Sequence, residues 1–203
     1  MDTNNILYSD AGLRDIDLGE STGLTIGISS DNTVLPVTVA EFKTYGNVHI
    51  TSDDTLIETI IRAVTAYGEA FTRLTWFNRT YVAQWETHAR QVILPVGPHQ
   101  AVSLVERIYS NGDAETLTLG ADYFITGQGF KTLTFITWHY GLRVTFSAGY
   151  GATSASLPAD LKLGVLKACL SAYEDRQNLA QSGFTQLPAG TKGYFSGKRR
   201  IVL

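Results

Sequence analysis

The sequence predicts an α+β protein: a helical core of two long helices plus a short one, an inserted antiparallel β section, and extended N- and C-terminal arms. Three observations carry that expectation. Apolar residues recur at three- and four-residue steps in 52–75 and again in 158–180, the spacing of one helix face. Between about Thr80 and Ala148 the period changes to two, as in strands with one buried side. Both ends are instead rich in Gly, Ser, Thr and Asn with little periodicity, a composition that suits arms better than a packed core.

The N-terminal extension, 1–36, is acidic: Asp2, Asp10, Asp15, Asp17, Glu20 and Asp31 stand against Arg14 alone. Next comes the central domain, 37–180. Its first helix, 38–46, has Thr38 three residues before Glu41, a capping-box spacing in which each side chain satisfies the other residue's free N–H. Gly46 suits the stop. The second helix, 52–75, is offered Thr51 or Ser52 as cap and carries Asp53 and Asp54 in its first turn, where they oppose the helix dipole. Leu56, Ile57, Ile60, Ile61, Val64, Tyr67, Phe71 and Leu74 define one apolar face about 35 Å long.

The β section, 80–148, comprises the short runs TYVAQWE, QVILPV, AVSLVERIY, ETLTL, DYFIT, LTFIT and LRVTFSA. Asn111 and Gly112 separate the third run from the fourth, and the pair predicts a tight type I′ hairpin with both residues at positive φ. The third helix, 158–180, opens at Pro158 and is apolar on most sides through Leu161, Val165, Leu166, Cys169, Leu170 and Tyr173. The C-terminal arm, 181–203, is basic: from Arg176 onward Lys192, Lys198, Arg199 and Arg200 meet no acid.

Composition bounds the function classes. With 203 residues, 44% of them hydrophobic, the chain can bury a real core. Cys169 is the single cysteine, so it is expected as a small buried hydrophobe in a reducing compartment. No basic leader and no apolar run of membrane-spanning length is present, so neither secretion nor membrane insertion is expected.

The search for chemistry returns no cofactor, no metal site and no catalytic residues. Gly149 and Gly151 lack the third glycine of a dinucleotide loop, and no Lys-Ser/Thr pair follows as a phosphate loop needs. Gly127 and Gly129 fall between strands. His49, His88, His99 and His139 lack metal-ligand spacing and are expected in turns or on the surface. No serine sits in a nucleophile elbow. An enzyme is therefore not expected. The cluster Lys198, Arg199 and Arg200 raises the alternative of a small nucleic-acid-binding module, yet it is small beside the roughly 6–10 phosphate contacts of a dedicated binder.

In order and spacing, LPVTVAEFKTYGNV, SDDTLIETIIRAVTAYGEAFTRLTW, VTFSAGYG and LPADLKLGVLKACLSAYEDR resemble the head-tail connector (adaptor) proteins of long-tailed bacteriophages and phage-like particles. The likeness covers roughly residues 35–176, which makes 37–180 the connector domain. Phe42 and Tyr45 stand where small or basic residues are commoner in that family, and 1–34 has no recognised counterpart.

The resemblance implies a structural virion protein without catalytic activity: a homo-oligomeric ring, expected to be a dodecamer, beneath the portal at the neck. It would be assembled in the host cytoplasm. Implied partners are the portal protein, a stopper or tail-terminator protein, and double-stranded DNA passing through the lumen without sequence-specific binding. Another neck or tail-completion protein is the nearest alternative. The resemblance also implies a portal and subunit interface on Phe184, Leu187, Lys192, Tyr194, Phe195, Lys198, Arg199 and Arg200. Asn111 and Gly112 would meet the next neck protein. Gly149, Tyr150, Gly151 and Pro158 are expected to form a hinge between the last strand and the third helix.

Overall fold

The computed structural model describes residues 23–30, 32–87, 90–137, 141–174 and 192–200. The fold is α+β, with helices and antiparallel sheets. The chain divides into two compact units. One runs to Asn32 and resumes over Asn78–Gly149; the other takes Thr33–Phe77 and everything from Tyr150 onward.

The helical unit contains α1 (Val39–Gly46), α2 (Asp54–Thr72), α3 (Ala159–Glu174) and a short α4 (Lys192–Ser196). At α1 the capping box forms as the spacing requires: Thr38 Oγ1 accepts the Glu41 N–H at 3.1 Å, and Glu41 Oε2 accepts the Thr38 N–H at 2.6 Å. The stop differs from expectation. Asn47, at φ 52° and ψ 43°, takes the left-handed cap, and Gly46 stays helical where a Cβ would lie 3.1 Å from Leu170 Cδ1. The cap of α2 is Asp53, not Thr51 or Ser52. Its carboxylate accepts from the Tyr173 hydroxyl at 2.7 Å, which ties the start of α2 to the end of α3. Lys43 pairs with Asp54 at 2.8 Å and ties α1 to α2.

Ile57, Ile60, Ile61 and Val64 of α2 pack with Phe42 of α1 and with Leu161, Val165, Ala168 and Cys169 of α3. Each of the Ile, Leu, Val and Phe side chains among them contributes about 1.5–3 kcal/mol of transfer free energy when fully buried. Leu56, placed on the stripe by sequence, is 40% exposed, because the buried face centres on Ile57, Ile61, Val64 and Gly68. Beyond α2, Trp76 and Phe77 enter the same core. Trp76 lies so close to Gly68 that a Cβ there would stand 2.3 Å from its Cη2.

The strand unit holds β1 (Leu24–Ser30), β2 (Arg79–Trp85), β3 (Gln91–Ile93), β4 (His99–Ile108), β5 (Ala114–Thr116), β6 (Tyr123–Thr126), β7 (Thr132–Phe135) and β8 (Gly141–Ala148). They form a five-stranded sheet, β1-β2-β8-β4-β5, and a three-stranded sheet, β3-β7-β6. Every pairing is antiparallel. Alternate residues of β8, namely Leu142, Val144, Phe146 and Ala148, join Tyr81, Ala83 and Trp85 of β2 and Leu133 and Phe135 of β7 in a second core.

Strand β1 falls in the stretch expected to be part of the N-terminal extension. Leu24 pairs with Trp85 and Ile28 with Tyr81, so 24–30 belong to the sheet. Gly27 and the serines weaken the alternation of LTIGISS, and the partner strand lies far along the chain. His99 is a second correction. It is buried, its Nδ1 accepts the Lys131 N–H at 2.9 Å, and its ring meets Phe130 and Phe146 edge-on.

Candidate functional site

The boundary between the two units falls between Gly149 and Tyr150, inside the segment expected to be the hinge. Gly149 sits at φ 135°, a region that disfavours other residues. In the strand unit its N–H donates to Pro98 O at 2.8 Å, and its carbonyl accepts from Gln100 Nε2 at 2.6 Å. Tyr150 packs partly buried on the helical core, and its N–H donates to Trp76 O at 3.1 Å. Burial, with a smaller contribution from Asp160, raises its phenol pKa. Gly151 serves a close approach: a Cβ there would lie 2.2 Å from Ser156 Oγ. The Pro158 carbonyl accepts the Lys162 N–H at 3.2 Å and so starts the ladder of α3.

Asn111 and Gly112 form the exposed turn between β4 and β5. The turn is not type I′, since only Gly112, at φ 90°, is positive. Gly112 N–H donates to Tyr109 O at 2.9 Å, and Tyr109 N–H donates to Asp113 O at 2.9 Å. This is a three-residue hairpin loop in which glycine takes the left-handed place. The Asn111 amide prefers a local role: its Oδ1 accepts the Asp113 N–H at 3.1 Å and its Nδ2 donates to Asp113 Oδ2 at 2.6 Å.

Of the C-terminal residues, Phe184 and Leu187 lie outside the described residues, and so does the Lys192 side chain. Phe195 is fully buried and stacks on Trp76 at 5.7 Å between centroids. It therefore fills the chain's own core, which corrects the expectation that it would anchor in a partner's pocket. Gly164 makes the approach possible, since a Cβ there would lie 2.9 Å from Tyr194 Cβ. Lys167 donates to the Tyr194 hydroxyl and sits 4.6 Å over its ring; the hydrogen bond raises the Lys167 pKa.

Lys198 Nζ reaches Asp160 Oδ2 at 3.5 Å. Arg199 places its guanidinium 5.3 Å over the Phe71 ring. Arg200 donates its backbone N–H to Thr72 O at 2.9 Å, and burial foremost, then neighbouring Arg73, lowers its side-chain pKa. The sequence pointed to Tyr194, Phe195, Lys198, Arg199 and Arg200 but not to Arg73, Lys167 and Asp160, which only packing brings near them. Gly164, a glycine inside an apolar helix, was the one available signal.

Among the described residues no group of three or more His, Cys, Asp or Glu side chains is placed to hold a metal ion, and no helix is long and apolar enough to cross a membrane. Burial pushes the Cys169 thiol pKa far up, away from reactive thiolate.

No family model matches the chain, and no curated protein matches it in sequence. Solved structures do resemble it. A chain from the virion of a native gene transfer agent particle aligns with a TM-score of 0.70 at 18% identity, covering 88% of this chain and 96% of that one. A chain from the neck of an empty particle of this kind, computed with C6 symmetry, gives 0.66 at 18% identity over 87% of this chain and 97% of that one. Another, from the neck of the native particle computed with C12 symmetry, gives 0.64 at 19% identity, again over 87% and 97%. At such identities the likeness is one of fold, and it takes in residues of both units while covering nearly the whole of the matched chains.

Proposed function

We propose that this chain is a structural neck protein of a phage or phage-like particle, specifically the head-tail connector that forms a ring, a dodecamer, beneath the portal. The observation that carries the reading is the match over 96–97% of chains from gene transfer agent particles, two of them from necks computed with C6 and C12 symmetry. Independent support comes from the connector-like order of motifs over residues 35–176. A cyclic ring needs heterologous contacts, one face of each subunit against a different face of the next.

In this reading the chain acts by position, not by catalysis. The C-terminal basic residues face the portal or a neighbouring subunit. The exposed Asn111–Gly112 hairpin meets the stopper or terminator protein, and DNA passes through the lumen without sequence-specific contact. Gly149 to Gly151, with Pro158 beyond, set the hinge. Cryo-electron microscopy of the particle's neck tests the assignment. Twelve copies in a ring against the portal are expected; density for the chain only in the tail, or none in the neck, would overturn it.

A further inference from the structure

We propose that Arg73 and Arg199, crowded beside Arg200 at the C-terminal end of α2, form a docking site for the acidic N-terminal stretch, residues 1–22, of a second copy of this chain. The proposal rests on the ring reading and adds what joins one subunit to the next.

Two distant parts of the sequence build the cluster. The Arg200 N–H bond to Thr72 O at 2.9 Å brings the C-terminal segment to the end of α2, where Arg73 takes the left-handed cap at φ 56° and ψ 34°. Helices commonly place glycine there, because a side chain strains that conformation. Here the position carries a guanidinium. The Arg199 guanidinium lies 5.3 Å over the Phe71 ring, and Phe71 in turn stacks on Tyr67 at 6.4 Å, so the fork has an aromatic support that restricts it. Neither Arg73 nor Arg199 makes an ion pair among the described residues, whereas nearby Lys198 already has Asp160. Arginines gathered at one helix end favour an arriving anion.

Charge complementarity names the occupant. Residues 1–22 carry Asp2, Asp10, Asp15, Asp17 and Glu20 against Arg14. Bound in extended form, Asp15 and Asp17 would direct both carboxylates to one side, about 7 Å apart. That suits two separate guanidinium forks, each able to bind a carboxylate in bidentate fashion. A DNA duplex fits less well: its phosphates reward long basic tracks, and this cluster is short.

The experiment is a charge swap in the full chain, read by sedimentation equilibrium at low salt. Chains carrying D15K/D17K or R73E/R199E are each expected to self-associate about tenfold or more weakly than the unaltered chain. An equal mixture of the two, and a single chain carrying all four changes, should recover association. Circular dichroism melts check folding, and R73Q/R199Q, neutral at both positions, should lose association to an intermediate degree.

Reversed chains that associate like the original would overturn the clasp and leave the ring reading intact. Recovery by the fourfold chain without recovery by the mixture would place the contact within one chain, which also overturns it. So would an arginine reversal that abolishes retention of a DNA duplex while self-association is unchanged. An unaltered chain that stays monomeric at every concentration would remove the ring reading and the clasp together.

Discussion

At the scale of single residues, the helical core turns on close approaches that glycine permits. Gly68 lies inside α2, where replacement by alanine ordinarily gains up to about 1 kcal/mol in helix propensity. Here the added Cβ would stand 2.3 Å from Trp76 Cη2, and Trp76 is fully buried. Overpacking costs about 1–3 kcal/mol, so it outweighs the propensity. Gly68→Ala is expected to lower the chemical-denaturation midpoint, and a raised midpoint would show that the indole can shift. Phe195→Ala should cost about 3–5 kcal/mol, the range for a buried aromatic ring removed from a packed site. Loss of the C-terminal segment should therefore destabilise the helical unit, a consequence its composition as an arm would not suggest. A Phe195→Ala melt that overlays the unaltered one would mean the ring is not held in the core.

Among the elements, α1 gives the plainest link between sequence and energetics. Its capping box pulls the Glu41 pKa below the ordinary 4.5, chiefly through the hydrogen bond from the Thr38 backbone. A carboxylate with a depressed folded pKa favours the folded state fully above that ordinary value. The contribution is lost as pH falls through the lower, folded value. Stability should accordingly decline on acidification below about pH 4.5, and Glu41→Gln should flatten the decline. Parallel acid titrations of the two proteins followed by circular dichroism would measure it; identical curves would count against the box as a titrating element. Thr38→Ala should cost about 1 kcal/mol at neutral pH by removing the side-chain acceptor.

For the whole molecule, the division into two units supplies a reporter. Cys169 is buried in the helical unit and its thiol pKa is pushed far up by burial. Thiol labelling is expected to be very slow in the folded protein and to follow the unfolding of the helical unit. The chain has three tryptophans, and of the two among the described residues Trp76 lies in that unit and Trp85 in the strand unit. Labelling in step with the whole fluorescence transition would mean one cooperative protein, and labelling at a distinct midpoint would mean units that open separately. Fast labelling under native conditions would contradict the burial itself.

What the sequence determined by itself was local. The capping spacing of Thr38 and Glu41, the apolar period of α2 and α3, and the alternation of β2 and β8 each act within a few residues, so they could be read without a fold. Asn111–Gly112 was legible as a turn but not as its type, because Asn111 could bond Asp113 in place of adopting positive φ. Only the tertiary structure decided the rest. Strand β1 exists because β2 offers it an edge; Trp76 is core because Gly68 leaves it room. Phe195 belongs to the interior of the helical unit because Trp76 and Gly164, far apart in sequence, come together around its ring. The candidate site lies on this second side of the divide: a backbone bond between Thr72 and Arg200 brings the C-terminal arginines to the end of α2, where Arg73 sits, and it joins segments so distant in sequence that no periodicity or spacing can encode it.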